Sequence, residues 1–198
     1  MVVDATVHDR SGLLLSQSPP PTDADINKAE LIGIAMASDW VKRARLDVRT
    51  IKFWQRLHKE MFSEVWDWAG QWRHSQPNIG VPSQDIQPQL KKLQDDLAFW
   101  LSKDSDMQPL EILARFHHRV VFIHPFANGN GRWGRLVADA LALRQFKLNS
   151  LTWASDSENF RGSEASGRKE YVATMKAGDK GDFAPLMAYL LALNPDLA

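Results

Sequence analysis

The sequence predicts an all-α domain with one small β-hairpin, and three observations carry that prediction. Apolar residues recur at intervals of three and four along most of the chain, which is the period of a helix with one buried face. Short alternation is confined to the stretch around residues 71–83. The chain has 198 residues, of which 44% are hydrophobic and 24% charged, enough for a single well-formed core.

The elements follow in order. The first twenty or so residues are loop-like and end in Pro19-Pro20-Pro21. Thr22-Asp23 is suited to capping a helix, and Ile26, Ala29, Gly33, Ala37 and Trp40 then recur at helical spacing to about Ala44. Trp54, Leu57, Met61, Val65 and Trp68 define a second helix that Gly70 would end. Residues 73–82, rich in Pro, Gly, Asn and Ser, read as a hairpin or ordered flap. Ile86, Leu90, Leu93, Leu97 and Trp100 share a third helical face. Pro109 opens a fourth helix, which must stop near His124 because Pro125 disfavours helical backbone in the residue before it. Residues 136–146 are helical again. A loop over 159–167, a helix near Tyr171 to Lys176 and a last apolar helix from Phe183 to Leu193 complete the chain. The expected organisation is an N-terminal arm over 1–22 and one domain over 23–198, with its core at about 50–195.

Composition excludes several functions. The 24 basic and 24 acidic residues balance to a net charge of zero, so neither a broad electrostatic grip on nucleic acid nor one on anionic membrane is expected. The absence of cysteine removes disulfides, thiolate metal sites and thiol nucleophiles. No aliphatic run is long enough to span a bilayer, and the N-terminus lacks a signal-peptide layout. The expected location is the cytoplasm.

The chemistry concentrates in His124-Pro125-Phe126-Ala127-Asn128-Gly129-Asn130-Gly131-Arg132-Trp133-Gly134-Arg135. Glycines allow successive backbone N–H groups to converge, and the following helix adds its free N–H groups and positive dipole end. Arg132 and Arg135, three apart on its first turn, project from one side. Together they form a polyphosphate cradle. His124, at the end of the preceding helix, is expected to titrate near neutral pH and to act as a general base. Residues 129–134 also spell G-x-G-x-x-G, but a dinucleotide fingerprint needs a strand before it and the preceding residues read as helix. No Gly-Lys-Ser/Thr follows, so a Walker A loop is excluded.

This segment resembles the signature of the Fic family, H-x-F-x-D/E-G-N-G-R-x-x-R, and departs from it at one specified position. Leu57-His58-Lys59-Glu60-Met61-Phe62, with Trp68-Ala69-Gly70-Gln71-Trp72-Arg73, resembles the family's helix and its exit into the flap. Asn78-Ile79-Gly80-Val81, Phe116-His117, Tyr171 and Gly181-Asp182-Phe183-Ala184-Pro185-Leu186 extend the likeness. Within the family it is most similar to the branch called mobile mystery protein B.

The resemblance implies a Fic-type helical bundle with a hairpin flap, and transfer of AMP from ATP to a Ser, Thr or Tyr hydroxyl of a target protein. It implies His124 as the base and Phe126 as the buried anchor of the loop. Gly129, Asn130 and Gly131 would lie on the α- and β-phosphates, Arg132 on the outer phosphates, and Arg135 on the γ-phosphate or bracing Arg132. Asn78, Ile79, Gly80 and Val81 would dock the target by strand addition. Asn128 stands where most of the family has the acidic Mg²⁺ ligand, so metal binding through it is expected to be weak. The self-inhibitory pattern S/T-x-x-x-E-G/N has no full match: Glu158-Asn159 has the right follower, but residue 154 is Ala. Either a separate antitoxin-like inhibitor restrains the enzyme, as the branch resemblance suggests, or restraint is weak. Two alternatives are a Doc-type transfer of the γ-phosphoryl group and a nucleotide- or partner-binding module without turnover. Doc-type relatives have a shorter motif without the second glycine and second arginine.

Of the eight tryptophans, Trp54, Trp68 and Trp100 are expected in the core, while Trp133 either flanks the nucleotide or covers the motif. His117 is expected to be a structural hydrogen-bonding residue beneath the loop, and His118 to be peripheral. Lys42-Arg43-Ala44-Arg45 reads as a solvated helix end.

Overall fold

In the computed structural model, which describes residues 10–76, 79–153 and 166–197, the elements are helices: α1 (Asp23–Arg43), α2 (Ile51–Phe62), α3 (Ile86–Trp100), α4 (Pro109–Ile123), α5 (Asn130–Gln145), α6 (Ser166–Gly178) and α7 (Ala184–Leu193). Short 3-10 turns at Ser83–Asp85 and Pro195–Leu197 lead into α3 and follow α7. No described helix is long and apolar enough to cross a membrane.

Local chemistry sets most boundaries. The Thr22 hydroxyl accepts from the Asp25 N–H while the Asp25 carboxylate accepts from the Thr22 N–H, a reciprocal cap that starts α1. Pro109 occupies the first turn of α4, and His124 ends it in the left-handed conformation, with φ 53° and ψ 59°.

The core lies where α2, α3, α4 and α5 meet, with Phe53, Trp54, Leu57, Leu113, Phe116 and Leu141 fully buried. Each such side chain contributes about 1.5–3 kcal/mol by leaving water. Gly33 lets α1 lie against α2, since a Cβ there would meet the Met61 carbonyl oxygen at 2.3 Å. Gly134 does the same for α5 on α4, where a Cβ would meet Val121 Cγ2 at 2.6 Å.

Three elements differ from the sequence reading. Helix α2 stops at Phe62 instead of reaching Gly70. Residues 63–70 are drawn into turns because the Val65 carbonyl accepts the Leu14 N–H at 2.9 Å and the Trp66 indole donates to Glu30 at 2.9 Å. The arm residues 11–15 reach this turn, with Leu13 and Trp66 forming an isolated antiparallel bridge. Helix α5 starts at Asn130, six residues before its apolar periodicity becomes visible at Leu136. The flap shows no strand among the described residues. Its backbone is satisfied across the molecule instead, with Arg73 N–H donating to the Pro125 carbonyl at 2.9 Å and Val81 N–H to the Ile123 carbonyl at 3.3 Å. Asn78, the loop at 159–165 and Glu158 lie outside the described residues.

Candidate functional site

The loop between α4 and α5 is shaped by side chains that bond to its backbone. Asn130, 2% exposed, accepts the Phe126 N–H through Oδ1 and donates to the Phe126 carbonyl through Nδ2, both at 2.9 Å. Its amide oxygen and one Nδ2–H are thus committed to holding the loop. Phe126 is fully buried, stacked on His58 with ring centroids 3.6 Å apart and meeting Trp133 edge-on at 4.9 Å. Trp133 belongs to the core: it is fully buried and its indole donates to the Trp54 carbonyl at 2.8 Å.

Two buried histidines brace the loop in opposite tautomers. His58 Nδ1 accepts the Gly70 N–H at 3.0 Å, so its proton is on Nε2, which donates to the Asn128 carbonyl at 3.1 Å. His117 Nδ1 donates to the Gly134 carbonyl at 3.0 Å, leaving Nε2 to accept the Tyr171 hydroxyl at 2.8 Å. Burial pushes both imidazoles down to about 3 and the Tyr171 hydroxyl up to about 12, so these tautomers persist across the neutral range. His118 is buried at 4% exposure and contacts Asp179 at 3.0 Å, away from the loop.

The three motif glycines have different reasons to be there. Gly129 has φ 77°, and a Cβ on it would strike Phe62 at 2.7 Å; Gly134 is excluded by Val121. At Gly131 a Cβ would meet only Arg135 Nη1, at 4.0 Å. The chain's own packing does not require this glycine, and its open side lies at the start of α5, where no side chain caps the helix. Backbone N–H groups of the first helical turn have no partner within the helix, and an anion approaching Gly131 meets them at the positive end of the dipole.

Arg132 is held from a distance. Its Nη1 donates to Glu30 Oε2 at 2.7 Å, and its guanidinium lies over the Phe62 ring at 5.0 Å. Glu30 is 1% exposed and its other oxygen accepts from Trp66. The sequence reading missed this carboxylate. Its signal was an acidic residue on the α1 face that carries Ile26, Gly33 and Ala37.

His124 is partly buried beside the flap, and Gly80 lies so close that a Cβ there would meet His124 Cβ at 2.6 Å. Burial first, and then the Arg73 charge, push its imidazole down to about 4 rather than leaving it near neutrality. It is therefore an unprotonated acceptor at pH 7. Val81 is buried, whereas Ile79 is 44% exposed.

Residues 48–142 match the Fic/DOC family. The chain is similar to that family over just under half of its length. It is 38% identical over 127 residues to "Protein adenylyltransferase Fic" of Nematostella vectensis, covering 62% of this chain and 26% of that one. It is 30% identical over 129 residues to "Protein adenylyltransferase fic-1" of Caenorhabditis elegans, covering 62% and 22%. The chain thus spans about a quarter of the length of these relatives. In fold it is similar to Fic-1 of C. elegans, with TM-score 0.68 at 23% identity over 92% of this chain and 56% of that one. It is also similar to BepC of Bartonella tribocorum with bound AMPPNP, with TM-score 0.67 at 15% identity over 95% and 98%. The segment that resembles the Fic motif, residues 124–135, forms the junction between α4 and α5 just described.

Asn128 is the motif position expected to contact Mg²⁺. Its Oδ1 accepts the Gly129 N–H at 2.7 Å, and no cluster of acidic and imidazole side chains able to hold a metal occurs among the described residues. A single neutral oxygen already bonded to the loop does not make a resident Mg²⁺ site. Any Mg²⁺ would therefore arrive with the nucleotide.

Proposed function

We propose that this chain transfers AMP from ATP to a hydroxyl side chain of a target protein. The observation that carries the reading is the open Gly131 at the uncapped start of α5, beside two arginines and an unprotonated histidine. The names of the curated relatives and the AMPPNP bound to BepC support an adenine nucleotide as the occupant.

In this reading His124 takes the proton from the target hydroxyl as its oxygen attacks the α-phosphorus. The bond from that phosphorus to the bridging oxygen breaks, and pyrophosphate leaves. The N–H groups at Gly129, Asn130 and Gly131 hold the α- and β-phosphates, and Arg132 and Arg135 meet the charge on the leaving group. Asn128 orders the loop and gives at most a neutral contact to Mg²⁺ carried by ATP. The flap around 78–81 receives an extended stretch of the target, with exposed Ile79 as an apolar contact. A separate inhibitory protein is the proposed restraint, in a toxin-antitoxin-like arrangement.

The test is label transfer from ATP labelled on the α- or the γ-phosphate into protein, comparing the unaltered chain with His124→Ala. The expected result is incorporation of the α label only, lost in the variant. Incorporation of the γ label alone would establish a Doc-type orientation instead, and ATP binding without either transfer would favour a non-catalytic module.

A further inference from the structure

Arg73 carries a buried guanidinium with no carboxylate partner. The residue is 4% exposed and forms no ion pair among the described residues. Its donors go to three backbone carbonyls from separate segments. Nε donates to His124 at 2.7 Å, Nη1 to Ser75 at 2.8 Å, and Nη2 to Val81. Its own N–H reaches Pro125 at 2.9 Å. Keeping a cation out of water without an anion is costly, and carbonyl tethers alone are within reach of neutral side chains. The positions of the carbonyls give the charge a purpose. One belongs to His124 in its left-handed turn, and the other two lie on either side of the flap tip.

We propose that Arg73 is a positioning residue of the transfer site, joining the turn that carries His124 to the flap that receives the target so that base and hydroxyl are held in register. This deepens the proposed function and rests on its assignment of His124 as base. Gly80 completes the joint, since a Cβ there would meet Arg73 Nη2 at 2.9 Å as well as His124 Cβ at 2.6 Å. Arg73 is also the charged group that acts on His124. Among the other motif cations, Arg132 acts on His58, and Arg135 on His117 and Tyr171.

The test compares Arg73→Gln and Arg73→Lys with the unaltered chain in three measurements: ATP affinity by calorimetry, kcat and KM for a target protein, and the His124 imidazole titration by NMR from pH 8 down to 5.5, where a midpoint near 4 leaves about 3% of it protonated and one near 5 about a quarter. For Arg73→Gln, kcat is expected to fall at least thirtyfold with ATP affinity within threefold. The His124 midpoint should rise by about one pH unit, the size expected of a nearby unit charge. Arg73→Lys keeps the charge but not the three-way geometry, so its His124 titration should stay low while kcat falls. Gly80→Ala, which leaves Arg73 intact but wedges the joint, should lower kcat without changing ATP affinity. The proposal is overturned by unchanged kcat and His124 titration in Arg73→Gln, or by a parallel loss of ATP affinity, which would make Arg73 a general scaffold residue. The His124 titration does not require turnover, so it reports on the joint even where transfer fails, whereas His124→Ala with undiminished AMP transfer would overturn the assignment of His124 as base on which the joint's purpose rests.

Discussion

Lowering the pH from 7.5 to 5 probes the two histidines that brace the motif loop. Both are fully buried, both are hydrogen-bonded on both ring nitrogens in the neutral form, and both are pushed from 6.5 to about 3. A proton added to His58 Nδ1 would displace the Gly70 N–H, and one added to His117 Nε2 would face the Tyr171 hydroxyl. Since each folded-state value lies below the unfolded one, the stabilisation is complete above about pH 6.5 and is lost as pH falls toward 3. Each group then costs about 1.4 kcal/mol per pH unit below 6.5. At pH 5 the pair has removed about 4 kcal/mol, and at pH 4 about 7 kcal/mol, comparable with the whole stability of a domain this size. Urea unfolding at pH 7.5, 6 and 5, followed by tryptophan fluorescence, should show this decline at constant m-value. The acid loss of activity should accordingly be cooperative, because the fold fails before His124 is protonated near 4. Stability that stays flat from pH 7.5 to 5 would refute the burial argument for both histidines.

Three further outcomes follow from the same geometry. Gly131→Ala should leave the melting temperature unchanged, since its Cβ meets only Arg135 Nη1 at 4.0 Å, yet weaken ATP binding tenfold or more; Gly134→Ala, blocked by Val121 at 2.6 Å, should instead lower the melting temperature. Glu30→Gln keeps an acceptor for the Trp66 indole but removes the charge that neutralises Arg132 at 2.7 Å, so ATP affinity should rise by about fivefold or more, as expected when one close ion pair stops competing for the guanidinium. Weaker ATP binding in that variant would show that Glu30 serves to aim Arg132. Asn128→Asp supplies the anionic oxygen that Mg²⁺ prefers, so label transfer should become more strongly dependent on Mg²⁺ concentration; an unchanged dependence would place the ion elsewhere on the nucleotide.

The sequence by itself determined what depends on neighbours along the chain. Helical periodicity, the Thr22 cap, Pro109 at the start of α4 and Pro125 after its end are encoded within one or two turns, and the structure follows them closely. The motif's glycines and arginines were legible for the same reason, because a loop between two helices brings them together locally. No strand pairing appears in the flap among the described residues, because its N–H groups at 73 and 81 bond to the carbonyls of residues 125 and 123. Only the tertiary structure decided the protonation and charge of the site. His124 looked ready to titrate near neutrality until burial and Arg73, 51 positions away, were seen to keep it unprotonated. Arg132 looked free until Glu30, 102 positions away, was found against it. Solvation and long-range charge depend on which surfaces the helices bury together, and sequence spacing carries no direct record of that.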